Sequence, residues 1–288
     1  MTAVLAALGA AACFAVATAL QHRGASRLPS GRGLGLALLA RLLRSPSWLG
    51  GLVLGAAGLA LHTWALATGR LPVVQPLLVT GLLFTLLTGA VLEHRRPSRA
   101  DGGWGSCVAL GLVLFLVSAR PDAGSALAPS GALVPTLLVA VALAGACVAG
   151  SRLVPARAAV LLGSAAGCCF GVTAALLKQL TGLAATSLTE PLRTWPLYAL
   201  VVVGVLGIAL AQSAYQAGPL SASVPALTVV EPLVAAIVGA LAFGEVPSAA
   251  LPALAGQLVG AGLMAAGVLQ LAAPAAALVE ARVPEPVS

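Results

Sequence analysis

The sequence predicts an all-α polytopic membrane protein with about nine transmembrane helices, or ten if one short stretch also spans. Three observations carry that expectation. The 288 residues are 60% hydrophobic and only 8% charged, against roughly 25% charged in a soluble domain. The mean hydropathy is +1.05. The apolar residues fall in runs of about 20, the length a helix needs to cross about 30 Å of hydrocarbon. They do not form the ~10-residue alternating strands of a membrane barrel.

In chain order the nine runs are Thr2–Leu20, Trp48–Thr68, Leu71–Leu92, Gly102–Ala119, Ala132–Gly150, Ala158–Leu177, Trp195–Ala214, Leu220–Phe243 and Leu251–Leu271. Helix follows because lipid offers no partner to free backbone N–H and C=O groups. The first run reads as a retained span. No basic residue precedes Arg23, as a signal peptide requires, and Ala10–Cys13 lacks the Leu of a lipoprotein cleavage site. Residues Gly33–Leu43 form either a tenth span or an interfacial amphipathic helix; Arg41 and Arg44 favour the second. Trp48, Trp104 and Trp195 fall at run ends, where Trp anchors at the membrane interface. The Pro- and Ala-rich tail after Ala272 reads as disordered. The expected layout is one continuous membrane domain in four parts. A first repeat at 1–119 contains a basic loop at 21–47, a linking helix lies within 120–156, a second repeat occupies 157–272, and a tail covers 273–288.

The net charge of +7 sits in short loops, which is the positive-inside pattern and not a nucleic-acid patch. With the N-terminus outside, the inner segments hold eleven basic residues: Arg23, Arg27, Arg32, Arg41, Arg44, Arg95, Arg96, Arg99, Arg152, Arg157 and Arg282. The outer ones hold four, Arg70, Arg120, Lys178 and Arg193. That favours a cytoplasmic C-terminus in the cell membrane. Arg outnumbers Lys fourteen to one, a bias that suggests a GC-rich bacterial genome. Cys13, Cys107, Cys147, Cys168 and Cys169 all lie in apolar runs without a C-x-x-C pair, so they read as small packing residues.

Leu220–Phe243 departs from the pattern. It carries a carboxylate, Glu231, at its midpoint, followed at once by Pro232. A central acid costs a membrane helix roughly 2.5–3.5 kcal/mol. Elsewhere the chain echoes itself. Cys13–Leu20 (CFAVATAL) resembles Cys169–Leu176 (CFGVTAAL) at an offset of 156. Gly69 and Pro76 match Gly218 and Pro225 at an offset of 149. Glu93 and Glu245 close the two copies, and Trp48 and Trp195 open the second run of each. The first run and its copy are five spans apart. That odd separation implies two inverted-topology repeats of four helices around a lone central span.

At these residues the chain resembles the drug/metabolite transporter superfamily, in its EamA-like group. The stretches ALATGRLPVVQPLLVTGLL and AYQAGPLSASVPALTVVEPLVAAIVGALAFGE are similar to the penultimate helix of that family's two halves. In each, a small-residue loop leads into a helix with an early Pro that ends near a Glu. The nine-span layout, the basic loop after the first span and the lone central helix are most similar to the NIPA-type magnesium transporters. Ala165–Lys178 (AAGCCFGVTAALLK) resembles the corresponding NIPA segment. The resemblance covers roughly residues 1–272 and implies a transporter without naming its substrate.

Glu231 is the first candidate site residue, for proton coupling or cation binding; the alternative is a protonated acid bonded to a neighbouring helix. It has no copy, since Leu82 stands at the 149 offset. His62 suits proton-linked transport, or a neutral bond to a facing helix. Gln75, Thr80, Gln212, Ser213, Tyr215 and Gln216 either line a substrate path or bond helices together. Pro76, Pro225 and Pro232 kink their helices and free carbonyls that can meet a cation. Lys178 and Arg70 read as snorkelling ends, and Glu93 and Glu245 as solvated helix ends.

No nucleotide-binding loop, H-E-x-x-H or Ser/His/Asp set is present, so neither an enzyme nor a cofactor is expected. Three functions stay open: a secondary transporter of a small organic solute working by alternating access, a NIPA-like carrier of magnesium or another divalent cation, and a non-transporting membrane scaffold. The implied partners are the solute or cation and the bilayer; a homodimer is left open.

Overall fold

The computed structural model describes residues 2–28, 36–68, 77–92, 99–119, 124–186 and 189–280. They form helices α1 (Thr2–Ser26), α2 (Leu36–Leu42), α3 (Pro46–Thr68), α4 (Gly81–Leu92), α5 (Arg99–Ala119), α6 (Ser130–Leu153), α7 (Ala158–Thr186), α8 (Glu190–Arg193), α9 (Trp195–Ala217), α10 (Leu220–Phe243) and α11 (Leu251–Glu280). Eight of these are long and apolar enough to span: α1, α3, α5, α6, α7, α9, α10 and α11. A shorter apolar helix covers Leu77–Val91; the remainder of that expected span, including Gln75 and Pro76, lies outside the described residues. The protein is a multi-pass helical membrane protein. Its outer surface is apolar, with Val53, Leu138, Val139, Val202 and Leu258 exposed, while Ala and Gly line the helix contacts. That inversion fits lipid as the surrounding solvent, because close backbone packing holds membrane helices together where the hydrophobic effect cannot.

Several expectations are corrected. Residues Leu36–Leu42 form a helix of only seven residues, a rise of about 10 Å, too short for a tenth span. Leu38 and Leu42 are buried in the core, and the helix packs on α9. Residues 273–280 are not disordered: α11 continues to Glu280 because the Ala- and Leu-rich sequence favours helix. Residues 281–288 lie outside the described set. Trp48 is not an interface anchor. It is 5% exposed and packs at the end of α1, where a Cβ on Gly24 would lie 3.0 Å from its own Cβ.

Helix directions can be read from the contacts. Gly9 meets Leu61, Gly58 meets Phe14 and Gly51 meets Ala17, so α1 and α3 are antiparallel. Gly207 on Phe170 and Gly204 on Thr173 make α7 and α9 antiparallel. Gly163, Gly167 and Gly171 of α7 face Ser223, Leu227 and Glu231 of α10 in rising order, so these two are parallel. Finally, α5 and α11 are antiparallel through Gly111 on Gly260 and Gly267 on Trp104.

The contacts recur at fixed offsets. A Cβ on Gly58 would lie 3.0 Å from the Phe14 ring and 3.2 Å from Cys13 Cβ. One on Gly207 would lie 2.9 Å from the Phe170 ring and 3.1 Å from Cys169 Cβ. Gly55 on Ala17 is matched by Gly204 on Thr173. In each case the α3–α9 partners are 149 residues apart and the α1–α7 partners 156.

Candidate functional site

Helix α10 is sealed at both ends. Pro219 precedes it, and Gly244, at φ 69°, reverses the chain after it. Few residues other than Gly adopt that conformation without cost. Pro225 and Pro232 lie inside the helix. Each lacks an N–H, so the carbonyls of Ser221 and Thr228 lose their intrahelical donors. Thr228 is one turn before Glu231. The helix backbone at Glu231 presses on α7: a Cβ on Gly167 would lie 3.1 Å from the Glu231 nitrogen, and one on Gly171 2.8 Å from its carbonyl oxygen. The three glycines of α7 therefore set the depth at which this acid sits. The Glu231 side chain is half-buried. It makes no hydrogen bond and no ion pair among the described residues.

The polar residues of α9 have a different fate. Gln212, 2% exposed, donates through Nε2 to Gln21 Oε1 at 3.0 Å, while its own Oε1 is buried without a partner among the described residues. Gln216 donates to the carbonyls of Ala25 (3.1 Å) and Leu28 (3.2 Å). His22 Nε2 lies 3.2 Å from the Gly218 carbonyl oxygen, and its ring meets Tyr215 edge-on at 6.1 Å. These groups join the last turns of α1 and α9. Gln21 and His22 were missed by a reading that ended the first span at Leu20. The helix runs on to Ser26, and two polar residues in helical phase after the apolar run were the available signal.

The other candidates divide. Ser213 donates to Ala209 and Thr80 to Leu77, within their own turns. His62 Nε2 is buried without a hydrogen-bond partner among the described residues, its ring edge-on to Phe14 at 6.4 Å. No hydrogen bond among the described residues brings His62 or Gln212 to Glu231. Gln75, Pro76, Arg70 and Glu93 lie outside the described residues. Pro225 is fully buried inside the packed bundle.

At the opposite end of the bundle, Lys178 forms an ion pair with Glu245, and its ammonium sits 4.4 Å above the centre of the Phe243 ring. This corrects the expectation of two independent, solvated helix ends. Next to it, Gln179 clamps the Ala128 peptide: Ala128 N–H donates to Oε1 at 2.8 Å and Nε2 donates to the Ala128 carbonyl at 3.3 Å. The five cysteines are free thiols. Among the described residues no three His, Cys, Asp or Glu side chains are grouped as a metal site.

Comparison with known proteins adds one relative. The chain is 33% identical over 247 residues to an uncharacterized protein of Corynebacterium glutamicum, an alignment covering 85% of this chain and 86% of the relative. The chain belongs to that protein's family. The shared stretch is long enough to take in most of the spans, so the relative is matched across the bundle and not in one motif. No family model matches the chain, and no solved structure matches it.

Proposed function

We propose that the chain is a secondary transporter of the drug/metabolite type, moving a small solute across the cytoplasmic membrane by alternating access. The observation that supports it best is the recurrence of the same contacts in two halves that run in opposite directions. The C-terminal ends of α1 and α9 meet through Gln21, Gln212 and Gln216, so these helices run the same way. Helix α9 is antiparallel to α7, so α7 runs against α1, its 156-offset counterpart. Helix α5 likewise runs against its counterpart α11. Inverted halves of near-equal shape can exchange conformations, which gives inward-open and outward-open states of similar energy around a midplane site.

Glu231 is the coupling or solute-binding group in this reading. An acid halfway along a spanning helix, with no protein partner among the described residues, costs free energy unless protonation or a ligand relieves it. The excess of basic residues in the loops supports an N-terminus outside and a C-terminus in the cytoplasm.

The test is electrical recording from proteoliposomes on a solid-supported membrane, challenged in turn with neutral amino acids, organic cations, nucleosides and Mg²⁺. One class should elicit a saturable current that Glu231→Gln abolishes while detergent thermal stability is kept. No current from any class, or an unchanged current in Glu231→Gln, would overturn the reading.

A further inference from the structure

The two halves share their internal contacts but do not meet alike at the two ends of the bundle. At the end carrying Arg23, Arg27, Arg41 and Arg44, the seam between α1 and α9 is stitched shut. Gln212 is bonded to Gln21, Gln216 to two carbonyls of α1, and His22 to Gly218. Ala25 beneath them is 0% exposed and Tyr215 7%. Helix α2 adds a brace, with Leu38 and Leu42 buried against α9.

The equivalent seam at the other end lies between α7 and α3. On the offsets fixed by the glycine contacts, Leu177 stands for Gln21, Lys178 for His22 and Thr63 for Gln212. Leu177 and Thr63 are exposed. Leu177 is 54% exposed, and the exposed Thr63 hydroxyl turns back to Leu59 of its own helix at 2.9 Å. Lys178 is drawn aside to Glu245. In place of the seven-residue brace α2, the second half has the four-residue α8.

We propose that this is one of two states of the protein, shut at the α1–α9 seam and open at the α3–α7 seam, with Gln21, Gln212, Gln216 and His22 as the gate. In the other state the gate parts and Thr63 and Leu177 pack together. The inference rests on the transporter reading and deepens it by naming the gate. The chemistry suits a reversible closure. Each amide hydrogen bond contributes little net free energy because water can replace its partner once the seam opens, so a few of them hold a state without locking it. Gln212 Oε1, already without a partner among the described residues, makes the seam cheaper to open. The opposite seam has an aliphatic and a hydroxyl side chain, so it closes by packing alone.

The experiment uses the full chain in detergent with Cys13, Cys107, Cys147, Cys168 and Cys169 replaced by Ala. A single reporter, Ala25→Cys or Leu177→Cys, is labelled with a water-soluble maleimide, and Thr63→Cys serves as a second reporter at the open seam. The parent should label quickly at 177 and slowly at 25. Adding Gln21→Ala and Gln212→Ala should raise the rate at 25 about fivefold, the loss expected for one weak hydrogen bond, and lower the rates at 177 and 63 together. Thermal unfolding of each variant checks that the bundle is intact. A rise at 25 with no fall at 177 and 63 would mean local fraying and overturn the gate, as would no change at any position. The readout needs no solute. Reciprocal labelling in a protein without flux would keep the gate and sink the transporter reading, whereas flux without reciprocal labelling would do the reverse.

Discussion

Gly111 and Gly260 touch backbone to backbone: a Cβ on either would lie 2.7 Å from the carbonyl oxygen of the other. The contact is reciprocal, as across a two-fold axis. A Cβ on Gly111 would also lie 2.9 Å from the Met264 nitrogen and one on Gly260 2.8 Å from the Phe115 nitrogen; Gly111 and Gly260, like Phe115 and Met264, are 149 residues apart. So close an approach permits Cα–H···O contacts between helices that hydrophobicity cannot hold together in lipid.

Substitution at this crossing should therefore be costly. Gly111→Val is expected to lower stability by about 1–3 kcal/mol through overpacking, read as a lower unfolding temperature in detergent. Gly145→Ala on α6, where an added Cβ meets nothing within 4 Å, should leave that temperature unchanged or raise it slightly, since Ala is the better helix former.

The glycines of α7 that face α10 should behave differently from Gly81 of α4, which faces Ala11 of α1. Gly167→Ala would drive a methyl to 2.9 Å from the Leu227 carbonyl oxygen and push α10 outward. Gly81→Ala meets Ala11 at an ordinary 3.4 Å and should be tolerated. Thermal unfolding of the two variants, side by side, decides it; equal losses would contradict the register described.

Lys178 and Glu245 are coupled across α7 and the end of α10. Their side chains are 33% and 25% exposed, so solvent screens the pair. A double-mutant cycle with Lys178→Met and Glu245→Gln should give a coupling of about 0.5–1 kcal/mol. A coupling of zero would mean that the two groups act separately.

Gln179→Leu should free the stretch before α6. It strips both hydrogen bonds from the buried Ala128 peptide, a loss of about 1–3 kcal/mol when the groups stay dry. Hydrogen exchange at 124–129 should accelerate while the cores of α6 and α7 keep their protection.

Much of this was legible in the sequence. The spans were, because the bilayer imposes length and apolarity on each segment independently of its neighbours. The offset of 156 was visible in Cys13-Phe14 and Cys169-Phe170 and that of 149 in Gly69 with Pro76 and Gly218 with Pro225, and the two Cys-Phe pairs meet Gly58 and Gly207. Glu231 stood out because one charge in an apolar run needs no tertiary information to be costly. The pairings were not legible. Gln212 and Gln216 could equally have lined a path or tied helices; their partners Gln21 and Ala25 are about 190 residues away. Lys178 and Glu245, each ordinary at a helix end, became a pair only when α7 and α10 were laid in parallel.

The sequence by itself determined that the chain spans the membrane many times, where its helices lie, and that one carboxylate lies midway along one of them. Tertiary structure alone decided which polar groups are spent on holding helices together and which, like Glu231, are left without a protein partner among the described residues. The physical reason is that lipid fixes each helix one at a time, through local composition, whereas a hydrogen bond or a glycine contact between helices depends on the depth and rotation of two segments far apart in the chain.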